Sequence, residues 1–274
     1  MMPRAFALVS AIVTLLIASS GTARAQAATP PDPAAPVQRQ YEPPPLTDED
    51  RQAAFPDVGG HATHDDAVHA LVLFDRFEWQ SVVGASGVKW DNQTWVGRDR
   101  DRLWIRSEGR SANGSIEEAD AHVLYGRMVA RWWDVVAGIR QDVRPGTGRT
   151  WAALGIQGLA PYWFDVEATA YVGEGWHTAL RLDVDYELRV TQRLILQPRL
   201  ELNAYGKPNP ARGIGVGVSS AEPGLRLRYE VRRELAPYMG LAWEHKFGGT
   251  ADFAQAAGEV GSGVRFVSGL RWWF

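Results

Sequence analysis

An alternating run of apolar and charged residues constrains the fold of this chain more than any other feature. In HTALRLDVDYELRV, residues 177–190, every second position from Leu180 onward is apolar and the intervening positions are mostly ionic. The ionic set includes Arg181, Asp183, Asp185, Glu187 and Arg189. A period of two residues is typical of a β-strand with opposed faces. The sequence therefore predicts a long strand that separates an apolar environment from a polar one.

The same pattern recurs in YWFDVEATAYV (162–172), RLILQPRLELNAY (193–205) and EPGLRLRYEVRR (222–233). A soluble sheet also alternates, so a periplasmic β-sandwich is the weaker alternative. However, these runs approach the roughly 10 residues with which a tilted strand crosses a bilayer. Aromatic residues flank the runs, as a membrane-interface girdle requires. They are Trp132, Trp133, Tyr162, Trp163, Trp243, Phe247, Trp272 and Trp273.

The predicted fold is an all-β, transmembrane, antiparallel up-and-down β-barrel of about 12 strands, because open sheet edges cannot face lipid. The strands are expected near 70–80, 88–96, 102–110, 117–131, 133–144, 150–160, 162–173, 177–190, 193–205, 219–233, 236–248 and 262–274. Connections on the side of Phe274 are tight, and those near 206–218 and 249–261 are longer. This asymmetry is typical of short periplasmic turns and long outer loops.

The two faces of each strand then have different partners. The apolar face is expected to meet outer-membrane lipid, and the charged face to line the lumen. The charges of residues 177–190 are expected to pair across neighbouring strands. The expected partners are Glu167, Arg199, Glu201, Arg226 and Glu230.

The N-terminal region divides into two further segments. Residues 1–25 read as a signal peptide rather than an anchor helix, with a charged start, a short apolar run and the cleavage pattern ARA. Residues 26–69 form a Pro-rich tether that is expected to be extended or disordered, and residues 70–274 form the barrel. The net charge of -3 does not indicate nucleic acid as a partner.

The chemistry that the sequence offers is limited. With 0 Cys, the chain has no disulfide and no thiolate site. It has no Gly-x-Ser-x-Gly, phosphate-loop or His-Glu-x-x-His pattern, so no enzyme class is indicated. Imidazole and carboxylate groups are the main candidate metal ligands.

Two groups of candidate metal ligands stand out. The first lies in the tether: His61, His64, Asp65, Asp66 and His69. The second shares one face of a strand, which we take as the lumen: Glu118, Asp120, His122 and Met128. A polar linker and a hydrogen-bonded lumen histidine are the competing interpretations. His177 is expected at the outer mouth, and His245 is expected to face outward near the rim.

The chain resembles the copper resistance protein B family of the bacterial outer membrane over about residues 71–274. The resemblance lies in FDRFEWQ, VKWDNQTWVGRDRDRLWIRSEG, LGIQGLAPYWFDVEA, TQRLILQPRLELN, GLRLRYEVRRELAPYMGLAWEHKFG and TADFAQAAGE. It implies a β-barrel of copper tolerance that binds or passes copper without catalysis. It also implies a periplasmic multicopper oxidase as a partner.

One feature departs from the family pattern. Members often carry a Met- and His-rich N-terminal tract, whereas residues 26–69 contain no Met and retain only HATHDDAVH, residues 61–69. Few thioethers favour Cu(II) over Cu(I). Two functions stay open. The first is an outer-membrane barrel of copper resistance that binds copper, with the tether dominating high-affinity binding, and sequesters copper or conducts it across the outer membrane. The second is a structural or general small-solute barrel without a metal role.

Overall fold

The computed structural model describes residues 44–54, 67–82, 85–144, 146 and 148–274. Its strands are β1 (His69–Val82), β2 (Ala85–Gly97), β3 (Asp101–Ala112), β4 (Ser115–Ala130), β5 (Trp133–Arg144), β6 (Arg149–Ala160), β7 (Phe164–Gly173), β8 (His177–Tyr186), β9 (Leu188–Arg189), β10 (Leu194–Tyr205), β11 (Gly217–Tyr229), β12 (Leu235–Lys246) and β13 (Ser262–Trp273). The predicted signal peptide, residues 1–25, lies outside the described residues.

The strands form one closed antiparallel barrel. Strands pair with their neighbours along the chain, except that β8 and β9 both pair with β10, and β1 closes the ring by pairing with β13. Strands β8 and β9 follow one register on β10, with Asp185 opposite Arg199 and Arg189 opposite Ile195. They are therefore one barrel strand interrupted at Glu187, and the 13 segments make twelve barrel strands. The predicted all-β barrel of about 12 strands is confirmed.

The two faces of the 177–190 run lie as predicted. Leu180 is 50% exposed on the outer surface, where lipid would cover it. The side chains of Arg181 and Asp183 are only 12% and 15% exposed inside the lumen. Alternation in the sequence thus separates a lipid-facing surface from an ionic interior.

The two ends of the barrel differ in their connections. Tight turns at 98–100, 131–132 and 230–234 lie at the end that holds His69 and Phe274, which we call the periplasmic end. The longest connections, 206–216 and 247–261, lie at the opposite, outer end. The second contains a helix, Gly248–Ala256. Short 3-10 helices span Pro161–Trp163, Glu174–Trp176 and Pro210–Arg212.

Ion pairs connect distant parts of the lumen wall. The prediction of neighbour-strand pairing is right for Arg181 with Glu201 at 3.1 Å and for Arg199 with Asp183 at 3.4 Å. It is wrong for Arg226, which pairs with Glu78 of β1 at 2.7 Å. It is also wrong for Glu167, which pairs with Arg106 of β3. Barrel closure brings these strands face to face across the lumen, so their long side chains meet there.

Part of the tether departs from the extended conformation expected of it. Residues Asp48–Ala54 form a short helix. Thr47 caps it: the Asp50 amide donates to Thr47 Oγ1 at 3.2 Å, and the Thr47 amide donates to Asp50 Oδ2 at 2.9 Å. This reciprocal pairing satisfies backbone donors that start a helix. No helix within the described ranges combines the length and apolarity needed to cross a membrane.

Candidate metal site

A β-hairpin positions the candidate site. Strands β3 and β4 are joined by Asn113 and Gly114, whose φ angles of 49° and 80° suit a two-residue hairpin turn. Between Arg110 and Ser111 the pairing register shifts at a β-bulge. Beyond the bulge, Glu108 lies directly opposite Asp120. The hairpin therefore presents both carboxylates on the lumen face.

Three side chains converge there. One ligand atom each from Glu108, Asp120 and His122 lies within 4.8 Å of the others. The imidazole of His122 is 1% exposed, and its Nε2 lies 2.9 Å from Asp120 Oδ1. Among the described residues, neither atom has a further hydrogen-bond partner.

This geometry fits ligands of one metal ion. Two ligand atoms that each lie about 2.0 Å from an ion, at right angles, are about 2.8 Å apart. The separation of His122 Nε2 and Asp120 Oδ1, 2.9 Å, is close to that value. The donors, one imidazole and two carboxylates, suit a borderline divalent cation.

Two arginines hold the carboxylates in place. Arg140 Nη2 lies 3.1 Å from Asp120 Oδ2, and its Nε donates to Asp142 Oδ1 at 2.7 Å. Arg181 Nη2 lies 2.5 Å from a Glu108 carboxylate oxygen. Arg140 contacts only the Oδ2 side of Asp120, which leaves Oδ1 directed to His122. An incoming cation would compete with Arg181 for Glu108 and less directly with Arg140.

The site opens toward the outer end of the barrel. Glu108 and Asp120 line an outer cavity of about 210 Å³, together with loop residues such as Arg212. A separate cavity of about 480 Å³ lies toward the periplasmic end. Arg76 and Asp91 line neither cavity and form a buried pair at 2.9 Å.

The four predicted lumen ligands, Glu118, Asp120, His122 and Met128, do not all lie at one site. Asp120 and His122 come together as described. Glu118 lines the outer cavity but pairs with Arg110 at 3.0 Å. Met128 lines the periplasmic cavity, six residues from His122, which is about 20 Å along a strand. Residues that share one face of a membrane-spanning strand are spread over its length, so all four cannot reach one ion.

The remaining histidines lie apart from this site. His61 and His64, with Asp65 and Asp66, fall outside the described residues. His69 is exposed and begins β1 at the periplasmic end. His177 lines the outer cavity. His245 lies between the rings of Trp243 and Phe247, with ring centroids 5.7 and 4.5 Å away.

Sequence reasoning missed Glu108. The Asn113–Gly114 dipeptide marks the hairpin, but a regular ladder from Ala112 opposite Ser115 would place Glu108 opposite Ala119. The bulge adds one residue to β4 and makes Asp120 the partner instead. A bulge has no reliable signature in a single sequence, so only the turn could have pointed to this pair.

Comparison with known proteins identifies the family. The family described as "Copper resistance protein B precursor (CopB)" matches residues 68–274. The "Copper resistance protein B" of Escherichia coli is 49% identical over 231 residues, which cover 84% of this chain and 78% of the relative. The "Copper resistance protein B homolog" of Pseudomonas syringae pv. tomato (strain ATCC BAA-871 / DC3000) is 49% identical over 240 residues, or 88% and 82% of the two chains.

Solved porins are among the similar structures. The NanC porin superposes with a TM-score of 0.49 and 12% identity, and covers 74% of this chain and 98% of its own. The KdgM porin gives a TM-score of 0.44 with 12% identity and the same coverage. The family match extends over the whole barrel, and both relatives share nearly half of their aligned residues with this chain. The chain therefore belongs to the copper resistance protein B family, as a closed β-barrel of the outer membrane.

Proposed function

We propose that this barrel binds copper ions in its lumen at Glu108, Asp120 and His122, and so sequesters copper at the outer membrane. The observation that carries the proposal is the convergence of these three ligand atoms within 4.8 Å. Family membership supports copper as the ion. The proposed role is metal binding, because imidazole and carboxylate groups are ligands for a divalent cation.

The donor set favours Cu(II) over Cu(I). Imidazole and carboxylate are harder ligands than the thiolates and thioethers that select Cu(I). Met128, the thioether expected nearby, lines the other cavity. The proposed lumen site therefore takes Cu(II).

The tether is proposed as a second, independent copper-binding segment. It contains His61, His64, Asp65 and Asp66, and it precedes His69 at the periplasmic end of β1. Its ligands are dense in sequence, which favours the high-affinity binding expected of it. Copper held there and copper held in the lumen can be separated experimentally by deletion.

The test is a titration of the detergent-folded mature protein with Cu(II) and with Cu(I). His122→Ala should remove one Cu(II) site, whereas deletion of residues 26–66 should leave that site and remove the tether's share. His245→Ala is the matched control, because this imidazole lies between two aromatic rings away from the lumen. Unchanged Cu(II) stoichiometry in both the His122 variant and the deletion would favour the general small-solute barrel instead.

The proposal includes one protein partner. A periplasmic multicopper oxidase is expected from the family resemblance, and the periplasmic turns are the part of the barrel that it could reach. Chemical crosslinking in intact cells, followed by identification of the crosslinked protein, tests this. Crosslinks to an oxidase that persist when the tether is deleted would assign the contact to the turns.

A further inference from the structure

Two cationic side chains and one imidazole at the outer mouth have no role in the site described above. Lys207 Nζ donates to the Gly175 carbonyl at 2.8 Å, and the guanidinium of Arg149 lies 5.3 Å from the centre of the Trp151 ring. His177 lies opposite Gly173, which in turn lies opposite Trp151 on the next strand. All three residues line the outer cavity. We call Arg149, His177 and Lys207 the mouth cluster.

The mouth cluster differs from the cations deeper in the same cavity. Lys89 pairs with Glu222 at 2.9 Å, Arg110 with Glu244 at 3.0 Å, and Arg140 with Asp142 at 2.7 Å. Within the described part of the chain, no ion pair joins Arg149 or Lys207 to a carboxylate, and Lys207 donates to the Gly175 carbonyl instead. Guanidinium and ammonium groups without carboxylate partners are available to anionic oxygens.

The resulting arrangement of charge selects what can enter. A cationic mouth repels a free divalent cation, although the candidate ligands of that cation lie further inside. An anionic complex of the metal is instead attracted to the mouth and carries the metal inward. The strands place the two groups near each other, because Arg149 lies opposite Asp142, the carboxylate that shares Arg140 with Asp120.

We propose that the mouth cluster binds the carboxylates of a small polycarboxylate chelate of Cu(II), so that the barrel takes up copper as an anionic complex. This inference rests on the proposed copper site. Copper–carboxylate bonds to the chelator break as bonds to Glu108, Asp120 and His122 form, and no electron is transferred. The cavity of about 210 Å³ is well above the roughly 10–15 Å³ that is needed to hold one water, which leaves room for an ion with part of its chelator.

Citrate is the probe for this inference. It carries three carboxylates, so its one-to-one complex with Cu(II) keeps a net negative charge. The detergent-folded mature protein and its Arg149→Gln/Lys207→Gln variant are titrated calorimetrically with citrate, with Cu(II)–citrate and with Cu(II) in a non-coordinating buffer. Losing two charge-assisted contacts should weaken binding of citrate and of Cu(II)–citrate by at least about tenfold. Binding of free Cu(II) should stay the same or tighten.

Controls separate this inference from the copper site itself. Arg193→Gln removes one arginine from a periplasmic turn and should change none of the three titrations. Lys207→Gln alone, which removes the amine that donates to the Gly175 carbonyl, provides a milder variant if the double variant folds poorly. Equal Cu(II)–citrate affinity in wild type and double variant overturns the inference. If wild type binds citrate but no free Cu(II), the copper site fails and the chelate assignment fails with it, while the anion site stands.

Discussion

At the scale of single residues, Arg140 is the side chain on which the candidate site most depends. It contacts Asp120 and Asp142 at once, and the Trp151 indole donates to Asp142 at 2.8 Å from the other side. It also lies over the ring of Tyr171, which packs edge-on against His122. Arg140 thus orients the Asp120 carboxylate directly and the His122 imidazole through Tyr171.

Replacing this arginine should move copper affinity and stability in opposite directions. Arg140→Gln removes a positive charge that competes with the ion for Asp120, so Cu(II) should bind more tightly. The same change leaves Asp120 without its arginine, whereas Asp142 keeps Arg212 at 3.1 Å. Breaking a buried pair in this way costs roughly 3–5 kcal/mol. Calorimetric titration and the urea midpoint of unfolding measure the two effects. A loss of affinity together with stability would mean that Arg140 only supports the fold.

At the scale of elements, the β3–β4 hairpin decides which residues face the lumen. The register of β4 changes by one residue near Glu117, between the Arg110–Glu118 and Ser111–Ile116 pairs. On both sides of the bulge, the lumen-facing residues of the two strands remain paired. The extra residue is therefore absorbed locally, and Glu108, Asp120 and His122 lie beyond it.

Two single-residue deletions distinguish the bulge from the regular ladder. Deleting Glu117 should convert the bulge into a regular ladder and leave Cu(II) binding nearly unchanged. Deleting Ala121 instead makes Asp120 and His122 consecutive, so one of them turns to the lipid face. That variant should lose the copper site and fold poorly. Heat-modifiable gel migration reports folding and calorimetry reports binding; loss of binding in the Glu117 deletion would contradict this account of the register.

At the scale of the whole molecule, ion pairs that span the lumen divide it into two cavities. Arg199 illustrates the connection, since it contacts Asp75 of β1 at 2.8 Å, Asp91 of β2 at 3.4 Å and Asp183 of β8 at 3.4 Å. The buried Arg76–Asp91 pair lies in the same network. Such a network favours retention of a bound ion over free diffusion through the barrel.

Conductance in planar bilayers tests this division. Wild-type barrels should conduct far less than an open porin of similar size, because charged side chains fill the lumen. The double variant Arg76→Ala/Asp91→Ala removes both charged groups of the central pair. Because the lumen becomes wider there, the conductance should rise several-fold. A Lys246→Ala/Glu259→Ala variant, which removes an exposed pair at the outer end, is the matched control. Large conductance in the wild type would refute the division.

Much of the barrel was predictable from the sequence. The alternation in residues 177–190 reflects the local geometry of an extended strand, so both its faces and its length could be read directly. The interruption of this strand at Glu187 left its register on β10 unchanged, so the number of barrel strands is still twelve. The tight and long connections were also where the sequence placed them. The helix Asp48–Ala54 was not foreseen, because a capping pair in a Pro-rich segment is a weak signal.

The candidate site was predictable only in part. Asp120 and His122 lie two residues apart on one strand, and a period of two alone places them on the same face. Glu108 comes from another strand through a bulge, and Met128, on the same face, lies in another cavity. The sequence by itself determined the barrel, its strands and the face that each side chain takes, because these follow from the backbone of a single strand. Only the tertiary structure decided which charges meet, because closing the barrel and shifting its registers bring together residues that are far apart along the chain.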